Sequence, residues 1–156
     1  MPNPEYMREA IRLSLETMRG GIGGPFGAVI VKNDRIIARG FNRVLETNDP
    51  TAHAEVVAIR EATKVLGTFD LDGCELYTSC EPCPMCLGAV YWSRISRMYY
   101  ANTKEDAAAI GFDDHFIYEE LDRDPAHRRL QSQPFLRDEA QPAFREWAAN
   151  PGKRNY

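Results

Sequence analysis

The sequence predicts an α/β domain of three layers, a central mixed sheet with helices on both faces. Three observations predict it. Short strand-like runs alternate with helical ones, two runs near the N-terminus are close enough to form a hairpin, and 156 residues suit one core. Strands separated by helices imply parallel crossovers, whereas a hairpin is antiparallel, so the sheet is mixed.

The elements follow in order. Asn3 caps a first helix with Pro4 at its first position. Met7, Ala10, Ile11, Leu15 and Met18 recur at spacings of three and four and predict its buried face. Gly20–Gly24, broken only by Ile22, ends that helix. Phe26–Val31 and Arg35–Phe41 read as a hairpin turning at Asn33-Asp34. A loop over Asn42–Pro50 leads to a second helix from about Thr51 to Leu66, with Val56, Ile59, Ala62, Val65 and Leu66 as its apolar stripe. Glu75–Thr78 is the third strand. The helix from Cys83 to about Trp92 is apolar almost all round, which predicts burial. Arg97–Ala101 is the fourth strand and Lys104–Ile110 a short helix. After Gly111 the pattern is irregular, Asp122–Pro134 reads as an exposed loop, and Gln141–Ala149 closes the chain as a last helix.

Composition narrows the function classes. Nineteen Lys and Arg against 23 Asp and Glu give a net charge of −4. A chain that grips tRNA or duplex DNA needs a basic face to displace counterions. Only His127-Arg128-Arg129 and Lys153-Arg154 offer short runs, which read as solvated surface. The expectation is a small-molecule substrate and no nucleic acid. No stretch of about 20 apolar residues spans a membrane. MPNPEYMREA lacks the basic and apolar regions of a secretion signal, so the expected compartment is the cytoplasm. Thiols stay reduced there, and clustered cysteines point to a metal or to catalysis.

Two segments carry that chemistry: His53-Ala54-Glu55 and Pro82-Cys83-Pro84-Met85-Cys86. Each opens a predicted helix, where unpaired N–H groups and the helix dipole favour thiolate over thiol. His53, Cys83 and Cys86 make a tetrahedral zinc set with one position open, as in catalytic sites, where a bound water ionises near neutral pH. Glu55 is on the same helical turn as His53 and could take that water's proton. A second reading stays open here. Cys80 adds another C-x-x-C, Cys80-Glu81-Pro82-Cys83, so a closed structural site of three cysteines and a histidine is conceivable. That reading leaves Glu55 without work. Cys74 and Cys80 otherwise read as core thiols, and His115 and His127 as surface or pocket residues.

H-x-E followed by P-C-x-x-C is the signature of zinc nucleobase deaminases. The chain resembles the cytidine deaminase superfamily and, more narrowly, its small bacterial guanine deaminase branch. The resemblance lies in Gly23–Val31, Asn48–Glu55, Thr78–Cys86 and Gly111-Phe112-Asp113-Asp114, with a Tyr at the very end. It implies a cytidine-deaminase-like fold in which His53, Cys83 and Cys86 bind one zinc ion and Glu55 shuttles protons. It further implies that Asn42 holds the base through its amide, an Asn offering both donor and acceptor. Phe26 lines the pocket, Ala54 and Tyr156 join the substrate-binding set, and Asp114 supplies a second carboxylate near the departing amine. In this branch the C-terminal segment, about residues 135–156, caps the active site, often over a partner subunit in an exchanged homodimer. On the residues alone, Asn42 also fits a loop turn, Phe26 plain core, Asp114 a loop cap and the last helix a docked one.

The reaction expected from the resemblance is hydrolysis of guanine to xanthine and ammonia. Its rivals are deamination of cytosine or of an aminotriazine, and tRNA adenosine deamination, which the acidic balance disfavours. An inactive zinc-stabilised binding module is the non-enzymatic alternative, though it gives Glu55 no role.

Overall fold

The structure, a computed structural model, describes residues 1–156. Met1–Asp114 forms one compact unit and His115–Tyr156 a second.

The first unit is built on a four-stranded sheet in the order β2-β1-β3-β4. Its strands are β1 (Gly27–Lys32), β2 (Arg35–Phe41), β3 (Glu75–Cys80) and β4 (Arg97–Asn102). The hairpin turns where the sequence places it. Asn33 and Asp34 both have positive φ, 49° and 55°, the two-residue turn whose twist matches the flanking strands. β1 is antiparallel to β2 and to β3, while β3 and β4 run parallel. The mixed sheet is therefore as expected, with β1 inserted between the two strands that the first helical crossover joins.

Alternate residues of β1 face opposite layers. Val29 and Val31 meet Leu13 of α1 (Pro4–Arg19) and Tyr77 of β3. Ala28 and Ile30 meet Ala54, Ala58 and Ala62 of α3 (Ala54–Leu66) and Val90 of α4 (Pro84–Trp92). Asn3 caps α1 as expected, accepting from the Glu5 N–H at 2.9 Å, and its own N–H donates to the Tyr77 hydroxyl at 3.1 Å. This pair of bonds ties the start of α1 to the central strand.

Helix faces depart from the sequence pattern. In α1, Ala10, Leu13, Ser14 and Thr17 are buried, whereas Ile11, Leu15 and Met18 are exposed. Ser14 and Thr17 lie inward without loss because each hydroxyl donates to a carbonyl of the helix itself, Ile11 and Leu13, both at 2.7 Å. In α3 the buried face is Ala54, Ala58 and Ala62, with Ile59 and Leu66 partly buried beside it and Val65 exposed. Close approach to β2 selects these small residues. A Cβ on Gly40 would stand 2.2 Å from the Ala54 carbonyl oxygen, so the strand and helix backbones touch there. In α4 only Cys86 and Val90 are buried, and Met85, Tyr91 and Trp92 are exposed within one chain.

Several boundaries also shift. α3 begins at Ala54 rather than Thr51, because Asp49 holds the Thr51 N–H and hydroxyl in a local turn at 2.8 and 2.6 Å. The loop after β2 contains a one-turn helix, α2 (Val44–Thr47). α5 (Lys104–Ala109) starts on a capping box between Thr103 and Asp106.

The second unit holds α6 (His115–Asp122), a 3-10 turn at Pro125–His127 and α7 (Arg137–Ala149). α6 falls where the sequence reads as irregular. α7 starts four residues before the expected Gln141, with Pro142 inside the helix. Proline usually marks a first turn, and that preference misplaces the boundary here.

Candidate metal and catalytic site

The site forms where the C-terminal end of β3 meets the open end of the β1–β2 hairpin. Ala28 pairs with Thr78 and Gly27 with Phe41, so Phe26, Asn42 and Cys80 all fall at this end of the sheet. Two helices start beside it, and each is preceded by a metal-binding residue. His53 is the N-cap of α3 and Cys83 the N-cap of α4, and neither side chain caps its own helix. The helix dipoles therefore favour negative charge at this point.

The donor atoms of His53, Cys83 and Cys86 all lie within 4.8 Å of one another. His53 Nδ1 is 3.6 Å from Cys83 Sγ and 3.5 Å from Cys86 Sγ. Around a tetrahedral zinc with Zn–S of about 2.3 Å and Zn–N of about 2.0–2.1 Å, such atoms stand roughly 3.5–3.6 Å apart. Both separations from His53 thus match those around a tetrahedral zinc. Hydrogen bonding from Cys86, together with His53, holds the Cys83 thiol down at about 4, against burial, so a thiolate is ready for the metal. Cys86 moves the opposite way because Cys83, burial and Glu55 all oppose a second negative charge. Cys80 is not among the clustered donors. Its buried thiol donates to the Thr103 carbonyl at 3.6 Å, and burial pushes it up to about 11. The closed four-donor site has no support from this geometry.

Glu55, in the first turn of α3, is only 5% exposed. Burial raises its carboxyl above the usual carboxylate range, partly offset by a backbone N–H and by the Thr78 hydroxyl, which donates to Oε1 at 2.8 Å. A hydrogen bond with Cys86 lowers this carboxyl, while negative charge on Cys83 raises it. Asp114, partly buried at the end of the first unit, is raised by burial and by Cys83 and Asp113. Two carboxyls and the metal triad therefore share one electrostatic neighbourhood.

Asn42 is buried just past β2, its N–H donating to the Phe26 carbonyl at 3.2 Å. Its Oδ1 accepts from the Val44 N–H at 3.1 Å, which fixes the amide orientation because a backbone N–H must face the oxygen. A Cβ on Gly23 would lie 2.7 Å from the same Oδ1, so that flank is closed by the glycine backbone. The sequence expectation of donor and acceptor together is thereby narrowed, since the acceptor half is already engaged.

Phe26 is half-buried against the core and meets Phe112 edge to face, with centroids 4.9 Å apart. Phe112 was not among the expected site residues, although it lies inside the Gly111–Asp114 motif that the sequence singles out. Thr78 was likewise missed, as a β-branched residue in a strand carries no sequence signal of chemistry. Ala54 is fully buried, its methyl packed in the core and its carbonyl against Gly40. Tyr156 ends the second unit and is exposed, and His115 and His127 are exposed there too.

Residues 2–102 match the cytidine and deoxycytidylate deaminase zinc-binding region. The chain belongs to this deaminase family. His53, Cys83 and Cys86 are its zinc-binding triad. Among relatives, guanine deaminase of Bacillus subtilis is 51% identical over 156 residues, all of both chains. The X-ray structure of guanine deaminase from Bacillus subtilis covers 100% of this chain and 99% of that one, with 52% identity and a TM-score of 0.94. The structure of guanine deaminase from Nitrosomonas europaea covers 74% and 67%, with 39% identity and a TM-score of 0.68. A tRNA-specific adenosine deaminase of Agrobacterium fabrum is 46% identical over 86 residues, 55% of this chain and 57% of that one. In this deaminase no helix is long and apolar enough to cross a membrane.

Proposed function

We propose that this deaminase hydrolyses guanine to xanthine and ammonia. One observation carries the choice of base. Likeness to a guanine deaminase runs the whole length of the chain at 51% identity, through Asp114 and the C-terminal unit, whereas the sequence match to the tRNA-specific adenosine deaminase of Agrobacterium fabrum covers 55% of it.

Zinc, held by His53, Cys83 and Cys86, supplies the activation of water that the reaction requires when it is bound. The rest is the work of this chain's side chains. Asn42 holds the base by donating its amide N–H groups to an acceptor on the ring, while Phe26, beside Phe112, gives the base an apolar wall. Ala54 and, from the cap, Tyr156 complete the binding set. Glu55 takes a proton from the attacking water and delivers it to a ring nitrogen next to C2, which makes that carbon more electrophilic. The water oxygen bonds to C2. Glu55, its first proton delivered, takes the remaining proton from that oxygen and, with Asp114 beside the amine, passes it to the exocyclic nitrogen. The C2–N bond then breaks, ammonia leaves and C2 becomes a carbonyl. Cytosine or an aminotriazine in the same place would use the same steps at the ring carbon that bears its amine.

Asn42→Ala tests the assignment. Removing a donor worth about 1 kcal/mol should raise KM for guanine about five-fold with a smaller effect on kcat. An unchanged KM would remove Asn42 from the binding set, and wild-type protein inert toward guanine would overturn the reading itself.

Residues 1–156 act as a single deaminase domain whose segment of about 135–156 caps the site, over a second copy of the chain in an exchanged homodimer. No residue of the second unit is buried in one chain, and Phe135, Phe144 and Trp147 are exposed. Tyr91 and Trp92 on α4 are 77% and 72% exposed as well. Apolar surface of this kind favours association. Sedimentation should give twice the 17.7 kDa chain mass, and a 17.7 kDa species would contradict the dimer. The cytoplasm is the compartment that reduced zinc thiolates suit.

A further inference from the structure

We propose that Thr78 is a positioning residue for Glu55, its hydroxyl holding the carboxylate in the place from which it moves protons; this rests on the proton-shuttle reading of Glu55.

Thr78 sits in the middle of the sheet, paired with Ala28 on β1 and with Tyr100 on β4. It is fully buried, and it shares the α3-facing side of β3 with Leu76, while Tyr77 between them packs toward α1. Valine has the same shape and an equal strand preference, so packing alone does not call for a hydroxyl here. A hydroxyl moved out of water is costly unless it is hydrogen-bonded. This one donates to Glu55 Oε1 at 2.8 Å and also has the Cys80 carbonyl oxygen at 3.1 Å.

The anchor is stiff and the group it holds is not. A β-branched side chain has few rotamers, and its backbone is fixed by strands on both sides. Glutamate has three rotatable bonds, and proton transfer by a carboxylate needs a heavy-atom separation of about 2.6–3.2 Å. Displacement by about 1 Å can cost on the order of 10² in rate. The same strand end then leads, through Cys80, into the segment bearing Cys83 and Cys86. One rigid strand thereby sets the carboxylate and launches the metal ligands, so their separation is fixed by a short path of chain.

The test compares Thr78→Val, Thr78→Ser and Thr78→Ala with wild type and with Glu55→Gln, each zinc-loaded and checked by zinc content and thermal melting. Thr78→Val should lower kcat about ten-fold, leave KM within about three-fold and keep one zinc per chain. Thr78→Ser should recover kcat to within about three-fold of wild type. Thr78→Val added to Glu55→Gln should cost no further activity, because the hydroxyl acts only through the missing carboxylate. If the valine variant fails to fold, serine against alanine isolates the hydroxyl, as both lack the methyl group.

Full kcat in Thr78→Val, or in Thr78→Ala when valine does not fold, overturns the proposal. So does a loss as large in the Glu55→Gln background, or a loss that tracks zinc content. A fully active Glu55→Gln would instead overturn the proton-shuttle reading, and with it the basis of this one.

Discussion

Glu55→Gln should keep zinc at one ion per chain and lose at least about 10² in turnover of guanine. Glutamine fills the same buried space and can still accept the Thr78 hydroxyl at the position of Oε1. What it lacks is basicity, because an amide oxygen does not take a proton near neutral pH. The metal set is unchanged, since Glu55 is not one of the three clustered donors. Zinc content by atomic absorption and ammonia release on the same sample measure the two halves of the prediction. Near-normal turnover would mean that another group moves the proton, and the mechanism above would fail.

Cys86→Ser should lose zinc and with it nearly all activity, whereas Cys80→Ser should retain both. The two cysteines are six residues apart and both buried, so neither exposure nor gross packing separates them. Position does. Cys86 Sγ is 3.5 Å from His53 Nδ1, while the Cys80 thiol is spent on the Thr103 carbonyl. A serine hydroxyl does not ionise as a thiol does, and it is a poor zinc ligand beside a remaining imidazole and thiolate. In Cys80→Ser the new hydroxyl can still donate to Thr103, so the expected cost is a modest loss of stability. Equal zinc loss in both variants would restore the closed site of three cysteines and one histidine.

Much of this arrangement is legible in the residues, and the parts that are not fail for physical reasons. Asn3-Pro4 and Asn33-Asp34 announce a helix start and a tight turn because their chemistry acts locally. His53, Cys83 and Cys86 are legible because zinc tolerates few residue types and spacings. The buried face of α1 is misread because Ser14 and Thr17 satisfy their hydroxyls within the helix, a solution invisible to an apolar count. The face of α3 is misread because Gly40 brings β2 close enough to favour alanines over Val56 and Val65. Burial of α4 is overestimated within one chain, since its apolar Tyr91 and Trp92 point away from that chain's core. Thr78 escapes notice because the acceptor that gives its hydroxyl a purpose lies 23 residues earlier, on another element. Asn42 is identified by resemblance, but only the Val44 N–H reveals which half of its amide is occupied.

Ammonia release from zinc-loaded protein offered guanine, cytosine, adenine and their nucleosides separately tests the central claim most directly. The account predicts release from guanine, with xanthine as the product, and little from the others. Release from cytosine or a nucleoside in place of guanine would contradict it, leaving the zinc triad and Glu55 in place but removing guanine from the pocket bounded by Asn42 and Phe26.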